Sequence, residues 1–482
     1  MWSQLDGSGL DGSNLSGQSV DIDGDVAVVG AIEPEVGPAS PLRTGVAHVF
    51  ERIGNAWTQT AVLRGDDSVL DGWFGIGVAV DGDRIVVGES GAVRFTEPGS
   101  FPGAAYVFER SGGAWVQTAK LVAPDAVAGS FFGYGVTANG GRIGVGAFAD
   151  DDDGPWSGSV YLFEQQQGAW SVTAKLTPSN GAPYTHFGET LDLDDDVLVV
   201  GAHIATGSAL YSGSAYVFER GAGGWAESAW LTQSDGHVED RFGQWVAASG
   251  ERVLIGARLD DDLGENAGSA YVFDKQPDGG WTESVELHAT GAKPWDVFGL
   301  RVDLEGDTAV VGGPAASIEG STGAGLVQVF ENGPGGWIQT RTYGEPHGLG
   351  WTAFGFSVAM DGGTVLVGAP GDDGATSDAG AAFVFGSPDT DGDGYPDGHD
   401  DCPAVADPEQ LDADADGIGD ACDPCRDVDH DGYGSPPSAS CAHPALDCDD
   451  LRGGVHPGAT ELPGNGIDED CDAATPGGCS QP

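Results

Sequence analysis

The fold is decided by the stretch Phe74-Gly-Ile-Gly-Val-Ala-Val-Asp-Gly-Asp-Arg-Ile-Val-Val-Gly88, in which two short apolar runs flank an Asp-Gly-Asp turn. Alternating β-branched residues on both sides of such a turn are typical of a β-hairpin. The pattern of Phe-Gly, hairpin and Gly-Ala recurs along the chain, with the Phe-Gly glycines at residues 17, 75, 133, 188, 243, 299 and 355. Ser16 replaces phenylalanine in the first copy. A repeat every 55 to 58 residues indicates a modular fold.

Each repeat reads as four short strands, called a to d in chain order, bounded by glycine and aspartate. In the second repeat these are residues 77–80, 84–87, 103–108 and 115–121. The seventh repeat stops after strand c at residues 381–385, whereas Leu5 stands 12 residues before Gly17, the spacing that strand d keeps in complete repeats. The N-terminal residues can therefore close the ring and remove exposed sheet edges. We predict an all-β fold: a seven-bladed β-propeller over residues 1–386, closed by the N-terminal strand.

The pattern from Phe-Gly to Gly-Ala-Pro, as in Phe354-Gly355 and Gly368-Ala369-Pro370, resembles the FG-GAP repeats of integrin-α-type propellers and their bacterial relatives. The resemblance covers residues 2–386. In the integrin-type repeats, Ca²⁺ sits in a long Asp-x-Asp-x-Asp-Gly loop between strands a and b. This chain has only a short turn there, such as Asp81-Gly82-Asp83. We interpret these acids as turn formers and do not expect that metal site here.

The b–c and d–a loops should share one face of the propeller, and the b–c loops account for most of the length variation between repeats. Variable loops on a rigid scaffold are the default binding site. We expect this face to bind a carbohydrate or protein ligand through aromatic faces and acidic acceptors. The alternative is that the acids are merely solvated and the aromatic residues cap the core. The candidate residues are Trp73, Asp151, Asp152, Tyr184, His186, His237, Asp261, Trp295 and Trp351.

The charge balance narrows the range of partners. The 482 residues include 76 acidic and 19 basic side chains, which gives a net charge of −57. This balance argues against nucleic acid and against an anionic membrane surface, and it favours cations, above all Ca²⁺. The sequence contains no apolar run long enough to span a membrane. Residues 1–6 do not resemble a signal peptide, so we expect the exported protein to begin upstream of Met1. We expect a monomer.

The composition changes at Ser387, after which the chain carries 24 acidic residues, two basic residues and all seven cysteines. Two loops place acids at positions 1, 3, 5, 9 and 12 and glycine at position 6, a spacing that wraps Ca²⁺. The predicted ligands of the first loop are Asp389, Asp391, Asp393, the carbonyl of Tyr395, Asp397 and Asp400. Those of the second are Asp412, Asp414, Asp416, the carbonyl of Ile418, Asp420 and Asp423.

A third loop is incomplete. It supplies Asp427, Asp429, Asp431 and the Tyr433 carbonyl, but Ser438 stands at position 12. The closing ligands must come from elsewhere, and the candidates are Asp447, Asp449, Asp450, Asp468, Glu469, Asp470 and Asp472. His430, His443 and His456 could serve a softer ion, although we interpret them as bystanders. The metal of this region therefore stays open.

Residues 387–423 look like thrombospondin type 3 repeats. Residues 424–472 resemble the metal-binding motif at the C-terminus of many bacterial surface and secreted proteins, and residues 473–482 form a short end segment. Both resemblances imply Ca²⁺ binding.

The cysteines lack zinc-finger spacing, so disulfides are favoured. We propose the pairs Cys402–Cys422, Cys425–Cys441 and Cys448–Cys471, with Cys479 left over. Disulfides imply an oxidising compartment, so we expect an extracellular or cell-surface protein.

Three functions remain open at this stage. The first is an exported, calcium-binding propeller used in adhesion or ligand capture. The second is a propeller-based polysaccharide lyase or hydrolase, and the third is a structural module of a larger surface protein. The sequence contains no His-Glu-x-x-His, Gly-x-Ser-x-Gly or phosphate-loop motif, so no catalytic residues are predicted. We rank binding first.

Overall fold

A computed structural model describes most of the chain. The described residues are 2–5, 15–32, 44–54, 56–69, 72–91, 102–125, 127–317, 321, 323–347, 349–372, 380–386, 402, 404–407, 411–414, 418–434, 441, 443, 445–446, 448–449, 451–460, 462 and 467–472. The chain divides into two compact units, Trp2–Phe385 and Gly386–Pro482 together with Met1. The regular structure of the described residues consists of 28 strands. These residues contain no helix that could cross a membrane.

Seven four-stranded sheets form the first unit, and we number the strands β1 to β28 along the chain. Blade 1 contains β2 (Leu15–Asp23), β3 (Val26–Ile32), β4 (Val46–Ile53) and β5 (Ala56–Leu63). Blade 2 contains β6 (Phe74–Asp81), β7 (Arg84–Glu89), β8 (Ala104–Ser111) and β9 (Ala114–Leu121). Blade 3 contains β10 (Phe132–Asn139), β11 (Arg142–Ala147), β12 (Ser159–Gln166) and β13 (Ala169–Leu176). Blade 4 contains β14 (Leu191–Asp194), β15 (Val197–Ala202), β16 (Ser214–Gly221) and β17 (Gly224–Leu231).

The last three blades follow the same order. Blade 5 contains β18 (Phe242–Ser249), β19 (Arg252–Ala257), β20 (Ser269–Lys275) and β21 (Trp281–His288). Blade 6 contains β22 (Arg301–Glu305), β23 (Thr308–Gly313), β24 (Leu326–Gly333) and β25 (Gly336–Gly344). Blade 7 contains β26 (Ser357–Asp361), β27 (Thr364–Ala369) and β28 (Ala381–Phe385), and its outer strand is β1 (Trp2–Leu5).

The N-terminal strand closes the ring as predicted. All strands within a blade pair antiparallel, and β1 pairs with β28 so that Trp2 lies opposite Phe385 and Leu5 opposite Ala382. Leu5 is buried at this junction. The prediction of an all-β, seven-bladed propeller is therefore confirmed, including the register in which Leu5 takes the place of a strand-d residue.

The hydrophobic core lies between neighbouring blades. One cluster joins Val28 and Val49 of blade 1 to Ile85 and Tyr106 of blade 2, and the remaining blades pack in the same manner. The phenylalanines of the Phe-Gly motifs are at the centre of these layers and are 0 % exposed: Phe74, Phe132, Phe187, Phe242, Phe298 and Phe354. Because each cluster draws on two blades, a single blade could not bury its apolar face alone.

The two glycines of the motif are required because adjacent backbones meet there. Gly133 has a φ of 91°, and a Cβ atom added to it would lie 2.2 Å from the carbonyl oxygen of Ala104 in blade 2. A Cβ on Gly88, in the Gly-Ala position of blade 2, would lie 1.9 Å from the oxygen of Gly133. No side chain fits at such distances, so the repeat keeps glycine at both positions.

A closed ring of hydrogen bonds explains the Asp-Gly-Asp turns. In every blade the residue before the turn accepts a hydrogen bond from a backbone N–H in the next blade's turn. The acceptors are Asp23, Asp81, Asn139, Asp194, Ser249, Glu305 and Asp361. The last of these accepts from the N–H of Gly24 at 2.5 Å and so joins blade 7 to blade 1. These seven side chains, five of them acids, therefore have an inter-blade role as well as a role in the turn.

The second unit is cross-linked by three disulfides, Cys402–Cys422, Cys425–Cys441 and Cys448–Cys471. These are the pairs proposed from the sequence. The paired cysteines are 20, 16 and 23 residues apart in the sequence, respectively. Few apolar side chains are buried among the described residues of this unit, and Val455 is one of them. The disulfides therefore take much of the role that a hydrophobic core takes in the propeller.

Candidate binding face and metal-binding tail

Three exposed aromatic side chains occupy equivalent positions on the loop face of the propeller. Tyr184, Trp295 and Trp351 each stand three residues before the phenylalanine of a Phe-Gly motif, in the d–a loops that lead into blades 4, 6 and 7. They are 58 %, 55 % and 75 % exposed. Large aromatic side chains at repeated, solvent-facing positions on a rigid scaffold suit ligand contact better than core packing.

The backbone at these three positions is left-handed, with φ values of 64° at Tyr184, 70° at Trp295 and 64° at Trp351. Bulky side chains rarely adopt this conformation, which costs on the order of 1–3 kcal/mol. The loops compensate through hydrogen bonds: the N–H of Tyr184 donates to the oxygen of Pro155 at 2.7 Å, and that of Trp295 to Glu265 at 2.8 Å. Each bond ties a d–a loop to the b–c loop of the preceding blade.

The other predicted residues of this face have different surroundings. Trp73 is partly buried and also left-handed, while His237 is exposed. Asp151 and Asp261 each stabilise their own loop, since their Oδ1 atoms accept hydrogen bonds from the N–H groups of Trp156 and Asn266. The remaining candidate, Asp152, has its Oδ2 atom 2.6 Å from Nζ of Lys175. Asp151, Asp152 and Asp261 thus bond to other groups of the propeller, whereas the exposed aromatic side chains remain available to contact a ligand.

His186 belongs to a cluster that the sequence analysis missed in part. Its Nδ1 lies 3.1 Å from Oε2 of Glu189, and Nδ1 of His203 lies 3.6 Å from the same oxygen. The sequence could have indicated this cluster, because Glu189 and His203 directly follow the Phe-Gly and Gly-Ala motifs of the fourth repeat. Burial, together with the nearby Arg241 and Arg258, lowers the pKa of His203 to about 4. Those guanidinium groups oppose a bound cation, so we interpret the cluster as structural.

The first strands of the blades line a central cavity of about 220 Å³, which contains Asp21, Asp192 and Asp303. Burial and the carboxylate of Asp192 raise the pKa of Asp303 to about 7. Burial also raises the pKa of Asp21 and of Asp192. Each carboxylate nonetheless accepts a backbone hydrogen bond from the next blade, for example that of Asp303 from Met360. These acids are therefore hydrogen-bonded, and their charges affect one another. Their raised pKa values make the stability of the ring depend on pH.

In the tail, the structure brings together the first three carboxylates of the incomplete loop. Ligand atoms of Asp427, Asp429 and Asp431 all lie within 4.8 Å of one another. Asp427 accepts hydrogen bonds from the N–H groups of Asp431 and Gly432, at 3.1 and 2.7 Å. The Oδ2 atom of Asp431 is buried and has no hydrogen-bond partner among the described residues. Two carboxylate oxygens on one cation can lie up to about 5 Å apart, so these residues fit a Ca²⁺ ion.

The remaining predicted ligands are only partly described. All six residues of the first loop, and also Asp416, Asp447 and Asp450, lie outside the described residues. In the second loop, Asp414 accepts from the N–H of Asp427 at 2.8 Å, Asp420 from Ala413 at 3.0 Å, and Asp423 from Cys425 at 2.6 Å. Ile418 is exposed. Asp414, Asp420 and Asp423 are thus bonded to backbone, and Asp412 is the fourth described carboxylate of this loop.

The described closing candidates do not complete the third loop. Asp449 pairs with Arg452, at 3.1 Å between Oδ2 and Nη1, and Asp470 accepts from the N–H of Asp472. Burial and the carboxylates of Asp470 and Asp472 raise the pKa of Asp468. No described residue joins Asp427, Asp429 and Asp431 as a fourth ligand in that cluster.

Two of the tail histidines have a packing role. The ring of Tyr433 stacks on those of His443 and His456, with centroids 4.6 and 4.9 Å apart. The hydroxyl of Tyr433 donates to the oxygen of Pro457 at 3.0 Å. This sandwich gives the two imidazoles a structural partner and supports their interpretation as bystanders to the metal.

Comparison with protein families assigns three parts of the chain. The FG-GAP repeat family matches residues 57–108, 115–163, 170–218, 225–273, 281–330 and 348–385, more than half of the chain. The Thrombospondin type 3 repeat family matches residues 387–410 and 411–435, and the family described as "Putative metal-binding motif" matches residues 447–475. A search of curated proteins found no match.

The five longer FG-GAP matches each begin on the outer strand of one blade and end on the third strand of the next. The repeat of the family is thus offset by one strand from the blade, which is the offset that β1 completes at the ring closure. The segments leave out β2 to β4, where Ser16 replaces the phenylalanine. The chain therefore belongs to the FG-GAP repeat family.

Proposed function

We propose that the protein is an exported binding module. The loop face of its propeller would capture a carbohydrate or a surface or matrix protein in adhesion, and its tail would be organised by calcium. The propeller, the disulfides and the thrombospondin type 3 repeats together suggest an extracellular binding or structural module. The further step to ligand capture rests on Tyr184, Trp295 and Trp351.

These three aromatic residues carry the proposal because each presents a large, exposed side chain at the same position of its d–a loop. Each holds a bulky side chain on a left-handed backbone and exposes more than half of its surface. Aromatic faces stack on the apolar faces of sugar rings and are enriched in protein interfaces. Three such faces in the loops of blades 4, 6 and 7 would give a multipoint contact on one side of the ring.

Calcium is the ion we propose for the tail, since hard carboxylate oxygens prefer it. Asp427, Asp429 and Asp431 would hold one ion, and the loops at 389–400 and 412–423 would hold others. The ion would supply the positive charge that the acidic tail lacks. The chain's own contribution is to fix the carboxylates through the backbone bonds to Asp427 and through the adjacent Cys425–Cys441 disulfide.

The test is a pull-down of the full-length protein on insoluble polysaccharides and immobilised matrix proteins, with free sugar assayed in the supernatant. We expect binding without sugar release, and we expect the triple variant Tyr184→Ala, Trp295→Ala, Trp351→Ala to lose at least tenfold in affinity. Ile338→Ala is the control, because Ile338 is 60 % exposed but lies on the outer strand β25. Unchanged binding by the triple variant would contradict the proposal, and sugar release would favour the enzyme alternative.

A further inference from the structure

Blades 3 and 5 contain the same acidic cluster but differ at one residue. In blade 3, Tyr161 donates hydrogen bonds to Asp125 at 2.6 Å and to Asp150 at 3.0 Å. In blade 5, Tyr271 donates in the same way to Asp235 at 3.2 Å and to Asp260 at 2.9 Å. Asp152 and Asp262 follow two residues after Asp150 and Asp260, respectively. The two clusters are thus equivalent, residue by residue.

The differing residue is the strand-d neighbour of the tyrosine. Tyr161 is paired with Lys175 in the sheet, whereas Tyr271 is paired with Glu286. In blade 3, Nζ of Lys175 lies 2.7 Å from Asp125, 3.0 Å from Asp150 and 2.6 Å from Asp152. Blade 2 follows the same rule, with Nζ of Lys120 2.7 Å from Asp67. In these blades the ammonium group is the cation that the carboxylates surround.

Blade 5 replaces that cation with a fourth carboxylate. Ligand atoms of Asp235, Asp262 and Glu286 all lie within 4.8 Å of one another. Among the described residues, no lysine or arginine comes within 4.0 Å of them or of Asp260. The Oε1 atom of Glu286 is buried and has no hydrogen-bond partner in the described structure. Unlike blade 3, the site therefore has no cation of its own.

The electrostatics of the two clusters differ accordingly. In blade 3 the ammonium group of Lys175 lies within 3.0 Å of three carboxylates and offsets their charge. In blade 5 Glu286 takes that strand position, so the carboxylates there face one another without a lysine.

Two histidines face the blade 5 cluster. His288 Nε2 lies 3.5 Å from Glu286, and His237 Nδ1 lies 3.9 Å from Asp262. Each imidazole is a cation only when protonated, whereas the ammonium group of a lysine carries a permanent charge in the neutral range.

We propose that blade 5 holds a Ca²⁺ ion among Asp235, Asp260, Asp262 and Glu286, at the place that a lysine ammonium group occupies in blade 3. Ca²⁺ binds oxygen ligands at about 2.4 Å, so two ligands of one ion lie at most about 4.8 Å apart. The three grouped oxygens satisfy that limit. The site lies in the b–c and d–a loops and on strands c and d, away from the short a–b turns.

The experiment counts bound Ca²⁺ by equilibrium dialysis of the full-length protein at roughly 5 mM CaCl₂, above the usual range for extracellular sites. Glu286→Lys installs the blade 3 residue. It should bind one Ca²⁺ fewer than the wild type, and its melting temperature in EDTA should be equal or higher. Tail sites contribute equally to both proteins, so the difference isolates blade 5. Glu286→Gln, a smaller change, should weaken this one site at least tenfold.

Two matched variants complete the test. Glu251→Lys makes the same charge change at an exposed residue between β18 and β19 of the same blade, and it should bind as many ions as the wild type. Lys175→Glu gives blade 3 the four carboxylates of blade 5 and should add one Ca²⁺. A wild-type count in folded Glu286→Lys together with unchanged affinity in Glu286→Gln would overturn the proposal.

Discussion

The propeller and the C-terminal tail are held together by different forces. In the propeller, apolar clusters shared by neighbouring blades and close backbone contacts at glycine fix the ring, and carboxylates such as Asp361 join one blade to the next. In the tail, three disulfides and clustered aspartates take the place of that core. In the propeller the aspartates therefore serve mainly hydrogen bonding between blades, with blade 5 as the one proposed Ca²⁺ site, whereas in the tail we propose that they serve mainly metal binding.

The largest effect is expected where the propeller backbones touch. Gly133→Val places side-chain atoms where even a Cβ would lie 2.2 Å from the oxygen of Ala104. We expect a loss of more than about 4 kcal/mol in the free energy of unfolding, measured by urea denaturation. Gly112→Ala is the control, because Gly112 is also left-handed but has open space around it. It should cost about 1 kcal/mol. A mild Gly133→Val would show that the blades are not held by this contact.

A smaller effect, confined to the tail, is expected when a disulfide is removed. The double variant Cys402→Ala, Cys422→Ala should destabilise the tail by about 2–4 kcal/mol, because the bridge restricts the unfolded chain. Thermolysin should then cleave the tail faster, while the melting of the propeller stays unchanged. Cys479→Ala removes the cysteine outside the three pairs. It should change neither the rate at which thermolysin cleaves the tail nor the melting of the propeller. Destabilisation of the propeller by the double variant would refute the separation of the two regions.

The smallest effect concerns pH and the central cavity. The pKa of Asp303 is raised to about 7, so the folded state binds a proton that the unfolded state has released. Stability from this group is therefore lost as pH rises from about 4 through about 7. Asp303→Ala introduces the residue found at the equivalent positions 79, 247 and 359. Between pH 5 and pH 8, the free energy of unfolding of this variant should rise by on the order of 2 kcal/mol relative to that of the wild type, measured by thermal unfolding. If the stability difference between variant and wild type is the same at pH 5 and pH 8, Asp303 does not titrate in this range.

Much of the propeller was predictable because its repeats are in register. Six Phe-Gly motifs, a first copy with Ser16 in place of phenylalanine, and the spacing of Leu5 to Gly17 predicted the blade count and the ring closure. A strand period and a glycine requirement are both local in sequence. The left-handed backbone of Tyr184, Trp295 and Trp351 was not predictable. Nothing in a tyrosine or tryptophan indicates a positive φ, which at Tyr184 and Trp295 accompanies backbone bonds to the loop of the preceding blade.

The clusters were harder to predict, because they join residues far apart in sequence. Asp152 was expected to face a ligand but instead contacts Lys175, a pairing that appears only when strand c and strand d are aligned. Glu286 was missed for the same reason, although comparison of the repeats at the lysine position would have found it. In the tail, the short spacing of Asp427, Asp429 and Asp431 sufficed to predict that they meet, whereas their closing ligand could not be predicted.

The most direct test of the account is limited proteolysis of the full-length protein in Ca²⁺ and in EDTA, with the fragments identified by mass spectrometry. If metal organises the tail and the glycine contacts and apolar clusters hold the propeller, EDTA should open new cleavage sites within residues 387–472. The fragment Trp2–Phe385 should resist the protease in both conditions. Identical digestion with and without EDTA, or new cuts spread through the blades, would contradict it.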